Sequence, residues 1–210
     1  MKRFIFLSIC ILMVLLVAGG GWYLSKFKTV KKSSEKPIVS NTLYLKLTSK
    51  AGQAKQFVKK NKYNQTVCFL IDMSIESGAN RFFVYDLKKD SVLNTGLVTH
   101  GRCNEDWLTG RKYGNEVGCG CTSLGKYKVG NPYKGRFGLA YKLHGLDETN
   151  NNAFKRFVVL HSHECVPSRE VKPAPICQSD GCPTVSYSML QSLATVIDKS
   201  DKPLLLWIFD

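Results

Sequence analysis

The residues best placed to do chemistry lie between positions 161 and 182. Val158-Val159-Leu160-His161-Ser162-His163 is an aliphatic, β-branched run that ends on an imidazole. After a proline-rich loop the chain returns Gln178-Ser179-Asp180-Gly181-Cys182-Pro183-Thr184-Val185. A strand end would present His161, and the turn before a helix would present Cys182. That pairing suits a thiol nucleophile with a histidine base, because only the thiolate attacks effectively and a neighbouring imidazole can take its proton. Gly181 permits a tight turn in front of the nucleophile. The backbone N–H groups of Gly181 and Cys182 are then candidates for an oxyanion hole.

Two other readings stay open on the residues alone. A cysteine in a cysteine-rich exported domain is most often half of a disulfide. Metal binding is the other, since His161, His163 and Cys165 alternate and Cys119-Gly120-Cys121 lies upstream. No C-x-x-C pair accompanies them, and the common structural zinc spacings are absent, so no metal is expected.

The elements that must position these groups are mostly strands. Val67 to Ile71 and Arg81 to Tyr85 flank the turn Ser77-Gly78-Ala79-Asn80, which predicts a hairpin. Further strands are expected at Val92 to Val98, Lys126 to Val129, Gly138 to Leu143, Arg156 to Leu160 and Leu204 to Phe209. Helical spacing of apolar residues appears at Lys50 to Lys60 and again at Ser188 to Asp198. The pattern predicts a mainly β domain with one or two helices, arranged as a β-sandwich or barrel-like sheet.

Composition sets the compartment. The chain has 210 residues, a formal charge of +14, 44% hydrophobic residues and eight cysteines, which suits one compact basic domain rather than a multi-domain enzyme or a disordered chain. Met1-Lys2-Arg3 precedes Phe4 to Leu24, a stretch without charge that is long enough to cross a bilayer. Residues 1–25 are therefore expected to be a signal peptide or a signal anchor to the inner membrane, with small residues at Val17-Ala18-Gly19 for cleavage. Residues 26–41 carry five lysines against Glu35 and read as a linker near the membrane surface. Residues 42–210 form the folded domain. Its positive surface would attract a polyanion such as cell-wall polymer, and no nucleic-acid motif accompanies the charge. Setting Cys10 aside leaves seven cysteines, so at least one thiol is left over or pairs between chains; with one as nucleophile, six could form three bridges.

The same segments resemble the L,D-transpeptidase catalytic domain family (YkuD-type), in a divergent branch. That family's signature is a strand-end His, 14 to 17 residues, then Ser/Thr-x-Gly-Cys; here His161 is followed by 17 residues and Ser179-Asp180-Gly181-Cys182. Phe83-Val84-Tyr85-Asp86-Leu87, Val98-Thr99-His100-Gly101-Arg102, Thr122-Ser123-Leu124-Gly125-Lys126-Tyr127 and Leu143-His144-Gly145-Leu146 match the branch in order. Two departures stand out: Asp180 replaces the usual histidine before Gly-Cys, and Thr184 stands where an arginine is common.

The resemblance implies a periplasmic, secreted or membrane-anchored enzyme acting on peptidoglycan stem peptides, without a cofactor. Cys182 would attack the diaminopimelate carbonyl of a tetrapeptide stem, release D-alanine and form a thioester. His161 would act as base, oriented by a backbone carbonyl near Ser162 or by the Ser162 hydroxyl. His144, Ser179 and Arg102 are the expected substrate contacts, with Arg102 and Arg111 standing in for the missing arginine. A bridge between Cys165 and Cys177 would pin the loop between base and nucleophile. The competing class is a non-catalytic, disulfide-stabilised cell-wall-binding domain.

Overall fold

The computed structural model describes residues 40–210. The leader or anchor expected at 1–25 and nearly all of the lysine-rich linker lie outside the described residues. The domain is mainly β with two helices. Helix α1 spans Asn41–Lys60 and helix α2 spans Tyr187–Ile197. The strands are β1 (Val67–Asp72), β2 (Phe82–Asp86), β3 (Ser91–Gly96), β4 (Gly125–Gly135), β5 (Gly138–Gly145), β6 (Val159–Ser162), β7 (Thr184–Val185) and β8 (Leu205–Phe209). All eight join in one mixed sheet of order β3-β2-β1-β8-β4-β5-β6-β7.

Strand β1 shows how the sheet is buried on both faces. Successive side chains of a strand point to opposite sides. Phe69 and Ile71 therefore join Phe82, Val84, Leu206 and Ile208 in a core closed by Met189, Leu190 and Leu193 of α2. Cys68 and Leu70 face the other way and join Phe83, Tyr85 and Leu205 under Leu47, Ala51, Ala54 and Val58 of α1. A strand covered on both sides reads as a continuous apolar run, as Val67-Cys68-Phe69-Leu70-Ile71 does. The β1–β2 hairpin and its turn stand where the spacing predicts them.

Each helix begins on a serine. Ser40 accepts the N–H of Leu43 at 3.3 Å, and Ser186 accepts that of Met189 at 3.2 Å. Lys59 and Lys60 in the last turn of α1 suit the negative end of its dipole. The helix is longer than the stretch from Lys50 expected on spacing. Its first half offers Leu47 as its one fully buried side chain, and Leu45 is exposed, so the apolar periodicity that marks a helix is weak there.

Two corrections concern the site end of the sheet. The strand expected over Arg156 to Leu160 begins at Val159; Phe157 has a φ of 56°, which breaks the extended run, and the strand continues to Ser162. The short strand Thr184–Val185 was not anticipated, because two residues carry no period. It pairs in parallel with β6, His161 opposite Thr184. This pairing sets the residues after Cys182 beside the strand that carries His161.

Candidate active site

His161 is the third residue of β6, held between Ala140 of β5 and Thr184 of β7. Its Nδ1 lies 3.1 Å from the Ser162 carbonyl oxygen. A carbonyl can only accept, so Nδ1 carries the proton and Nε2 carries the lone pair. Nε2 lies 3.1 Å from the Thr184 hydroxyl, which can donate to it. The imidazole is thus fixed in one tautomer by the backbone of Ser162 and steadied by Thr184. Phe137, from the turn joining β4 and β5, stacks on the ring at 4.8 Å between centroids and an interplanar angle of 14°.

Cys182 follows a loop locked by its own polar groups. The Ser179 hydroxyl donates to the Cys182 carbonyl at 2.7 Å and accepts the Gly181 N–H at 3.2 Å. Thr99 donates its hydroxyl to the same carbonyl at 3.1 Å and accepts the Thr184 N–H at 3.1 Å. Ser179 also gives its N–H to the His100 carbonyl, and its carbonyl takes the Arg102 N–H. Gly181 has a φ of 106°, and a Cβ there would sit 2.5 Å from the Cys121 carbonyl oxygen and 3.1 Å from Nη2 of Arg156. Only glycine fits that turn.

The Cys182 sulfur accepts the Val159 N–H at 3.5 Å and contacts the Phe157 carbonyl oxygen at 3.8 Å. His161 and Cys182 line one small cavity of about 210 Å³, together with Phe137, His163, Ser179 and Asp180. Among the described residues no hydrogen bond joins Sγ to the imidazole, an arrangement common in resting sites that tighten on substrate.

Electrostatics leave both groups neutral at rest. Burial pushes the Cys182 thiol above its ordinary range; the Val159 N–H and the Arg156 charge pull the other way, and Asp180 adds slightly to the rise. Burial likewise lowers the His161 imidazole, with His163 adding to that effect and the Ser162 carbonyl opposing it.

Arg156 escaped the sequence reading. It stands in the turn before β6, where an arginine next to an aliphatic run looks like a strand residue. Its guanidinium donates to the carbonyls of Cys121 and Gly114 and to the Ser123 hydroxyl, the last two at 3.0 Å. A cation is thereby fixed under the Gly181–Cys182 turn. Phe137 was missed because it belongs to a hairpin tip that is local in sequence to nothing else in the site.

The expected substrate contacts are dispersed. Ser179 stands in the cavity with its hydroxyl engaged in the loop. Arg102 pairs through Nε with Asp180 at 2.8 Å on the surface, so the carboxylate beside the nucleophile has its own counter-ion. His144 lies four residues beyond Ala140 on β5, about 13 Å along the strand; it stacks on Phe154 at 5.1 Å and lines a different cavity with Lys128 and Ile197. Ser162 contributes its carbonyl to His161, the first of the two ways expected.

Disulfides join Cys103 to Cys121 and Cys165 to Cys177, while Cys68, Cys119 and Cys182 are free thiols. Two bridges form where six cysteines could have made three. Cys68 faces the α1 core and its thiol is buried, so it has no partner within reach. The Cys165–Cys177 bridge closes the loop between His161 and Cys182 and leaves the nucleophile candidate reduced.

A family profile described as the L,D-transpeptidase catalytic domain matches residues 39–207. Among solved structures, the helical cell shape determining protein Pgp2 of Campylobacter jejuni matches at 12% identity and a TM-score of 0.42, covering 69% of this chain and 48% of that one. A fused Zn-dependent amidase/peptidase/peptidoglycan-binding domain-containing protein of Clostridium acetobutylicum matches at 12% identity and a TM-score of 0.37, covering 84% of this chain and 66% of that one. The chain spans about half the length of the Campylobacter protein. No curated protein matches. With most of its length matched by the profile, the chain belongs to the YkuD-type L,D-transpeptidase catalytic domain family.

Proposed function

We propose that this domain is a cysteine-dependent acyltransferase acting on peptidoglycan tetrapeptide stems. The observation that carries the reading is the shared cavity of His161 and Cys182, in which the Ser162 carbonyl holds the proton on Nδ1 and so leaves the lone pair on Nε2, met at rest by the Thr184 hydroxyl, to act as a base. Nε2 takes the thiol proton as sulfur attacks the carbonyl of the diaminopimelate L-centre. The carbon–sulfur bond forms, the bond to D-alanine breaks, and the imidazolium returns its proton to the leaving amine. An acceptor amine then displaces sulfur and restores the thiol; with water as acceptor the net reaction is hydrolysis. The Gly181 N–H is already given to Ser179, so the Cys182 N–H, unpaired among the described residues, is the donor assigned to the oxyanion. A neutral thiol and neutral imidazole at rest suit transfer within the substrate complex rather than a standing ion pair.

Family and disulfides together support an extracytoplasmic location, where bridges persist. Among the described residues no helix is long and apolar enough to cross a membrane; the anchor read from the sequence at residues 4–24 lies outside them.

The test is incubation of the protein, disulfides intact, with disaccharide-tetrapeptide muropeptides and mass analysis of products beside Cys182→Ala. Loss of alanine or formation of a tetra-tri dimer that depends on Cys182 is expected. Substrate held without turnover by both proteins would instead mark a wall-binding domain.

A further inference from the structure

A second cavity, of about 450 Å³, adjoins the catalytic one and shares Gln178 with it. Its walls include Arg81, His100 and Arg111, with Trp107, Leu108 and Pro173 supplying apolar surface. Arg81 is fully buried and no carboxylate lies within ion-pair distance of it among the described residues. Asp72, whose charge acts on Arg81 from beyond ion-pair distance, accepts hydrogen bonds from Lys46 and Ser74 at Oδ1, and its Oδ2 is without a partner among the described residues. A buried cation without a counter-ion is costly to maintain.

The hydrogen bonds around Arg81 fix the state of His100. Arg81 donates from Nε and Nη2 to the Val98 carbonyl, from Nη1 to that of Ile75, and from Nη2 to Nδ1 of His100 at 3.1 Å. A guanidinium has no acceptor, so Nδ1 must offer its lone pair and Nε2 must carry the proton. That Nε2 has no partner although His100 is only 8% exposed. Burial, then Arg81 and Arg111, hold the imidazole pKa down at about 4, so it stays a neutral N–H donor near neutrality. One Nη1 proton of Arg81 is also unspent.

We propose that this cavity binds the terminal carboxylate of a peptide, received by the His100 Nε2–H, the free Arg81 N–H and Arg111. An unpaired buried donor beside two arginines calls for an anionic oxygen. The apolar wall and the exposed Glu76 at the rim favour a singly charged, partly apolar ligand over a hydrated dianion. The site stands on residues apart from Cys182 and His161, and its occupancy is independent of whether the thioester chemistry holds. Its backbone is nevertheless stitched to the nucleophile loop through the Ser179–His100 hydrogen bond at 2.9 Å.

The experiment uses full-length protein carrying Cys182→Ala, with histidines labelled by 15N, titrated with N-acetylglycine. The unliganded spectrum should show His100 as the Nε2–H tautomer, and the ligand should shift that nitrogen saturably. N-acetylglycinamide, which lacks the charge, should bind at least about tenfold more weakly, and so should N-acetylglycine to Arg111→Gln, a surface substitution whose folding is checked by an unchanged thermal midpoint. An Nδ1–H tautomer, equal response to acid and amide, full affinity in Arg111→Gln, or tighter binding of inorganic phosphate would each overturn the assignment. Because binding rather than turnover is read, an inactive protein that still binds N-acetylglycine separates failure of the catalytic reading from failure of this one.

Discussion

In the proposed reaction the Cys182 thiol and the His161 imidazole carry the chemistry, and their neutral resting state has a measurable consequence. Because burial raises the Cys182 pKa, its thiolate fraction at neutral pH falls below that of an ordinary cysteine. Alkylation by iodoacetamide, followed by mass spectrometry at Cys182, should therefore show a pH midpoint above that of free cysteine. Arg156→Gln should move the midpoint higher still, since the guanidinium opposes the rise, and Asp180→Asn should move it slightly lower. A midpoint below that of free cysteine contradicts a neutral thiol. His161 and Cys182 were legible as candidates because strand end, loop and Gly-Cys turn are local patterns, and the fold brings the two into one cavity. Arg156, Phe137 and Thr184 were not, because each reaches the site through tertiary pairing. Thr184, conspicuous in sequence only as a departure from arginine, lies against His161 because β7 pairs with β6 in register.

Among elements, the nucleophile turn and its flanking loop hold the tightest geometry. Gly181→Ala would drive a Cβ into the Cys121 carbonyl at a φ of 106°, with backbone rather than a yielding side chain in the way. The expected loss is about 2 kcal/mol or more of stability, read from the denaturant midpoint, together with most of the activity. Wild-type stability in that variant would mean that the turn relaxes freely. The Cys165–Cys177 bridge, with a sequence separation of 12, closes a short loop. Replacing both cysteines by alanine should cost about 2–3 kcal/mol by the chain-entropy argument, and should slow turnover as the loop between base and nucleophile loosens. Denaturant unfolding and muropeptide kinetics on the same variant check both. Strands with two buried faces, such as β1 and β8, announce themselves as apolar runs. The first half of α1 does not, since its partner is one face of a sheet assembled from segments far along the chain.

At the scale of the whole molecule, buried groups that must stay neutral set a pH window for stability. His100 titrates at about 4 in the fold against an ordinary value of 6.5, so as pH falls below 6.5 the unfolded chain binds a proton that the native state refuses. Stability is thus full above about pH 6.5 and declines as pH falls toward 4; His161 acts in the same direction. Cys68 works at the other end: burial raises its thiol from 9.0 to about 12, so stability is full below about pH 9 and declines as the unfolded thiol ionises first. The thermal midpoint should therefore form a plateau between roughly pH 6.5 and 9. His100→Gln retains an acceptor for Arg81 but does not titrate. Between pH 7 and 5 it should lose less stability than the wild type, by an amount on the order of 1–2 kcal/mol. Parallel acid limbs for the two proteins would show that His100 is protonated or solvated in the fold, which would also remove the neutral donor from the wall of the second cavity.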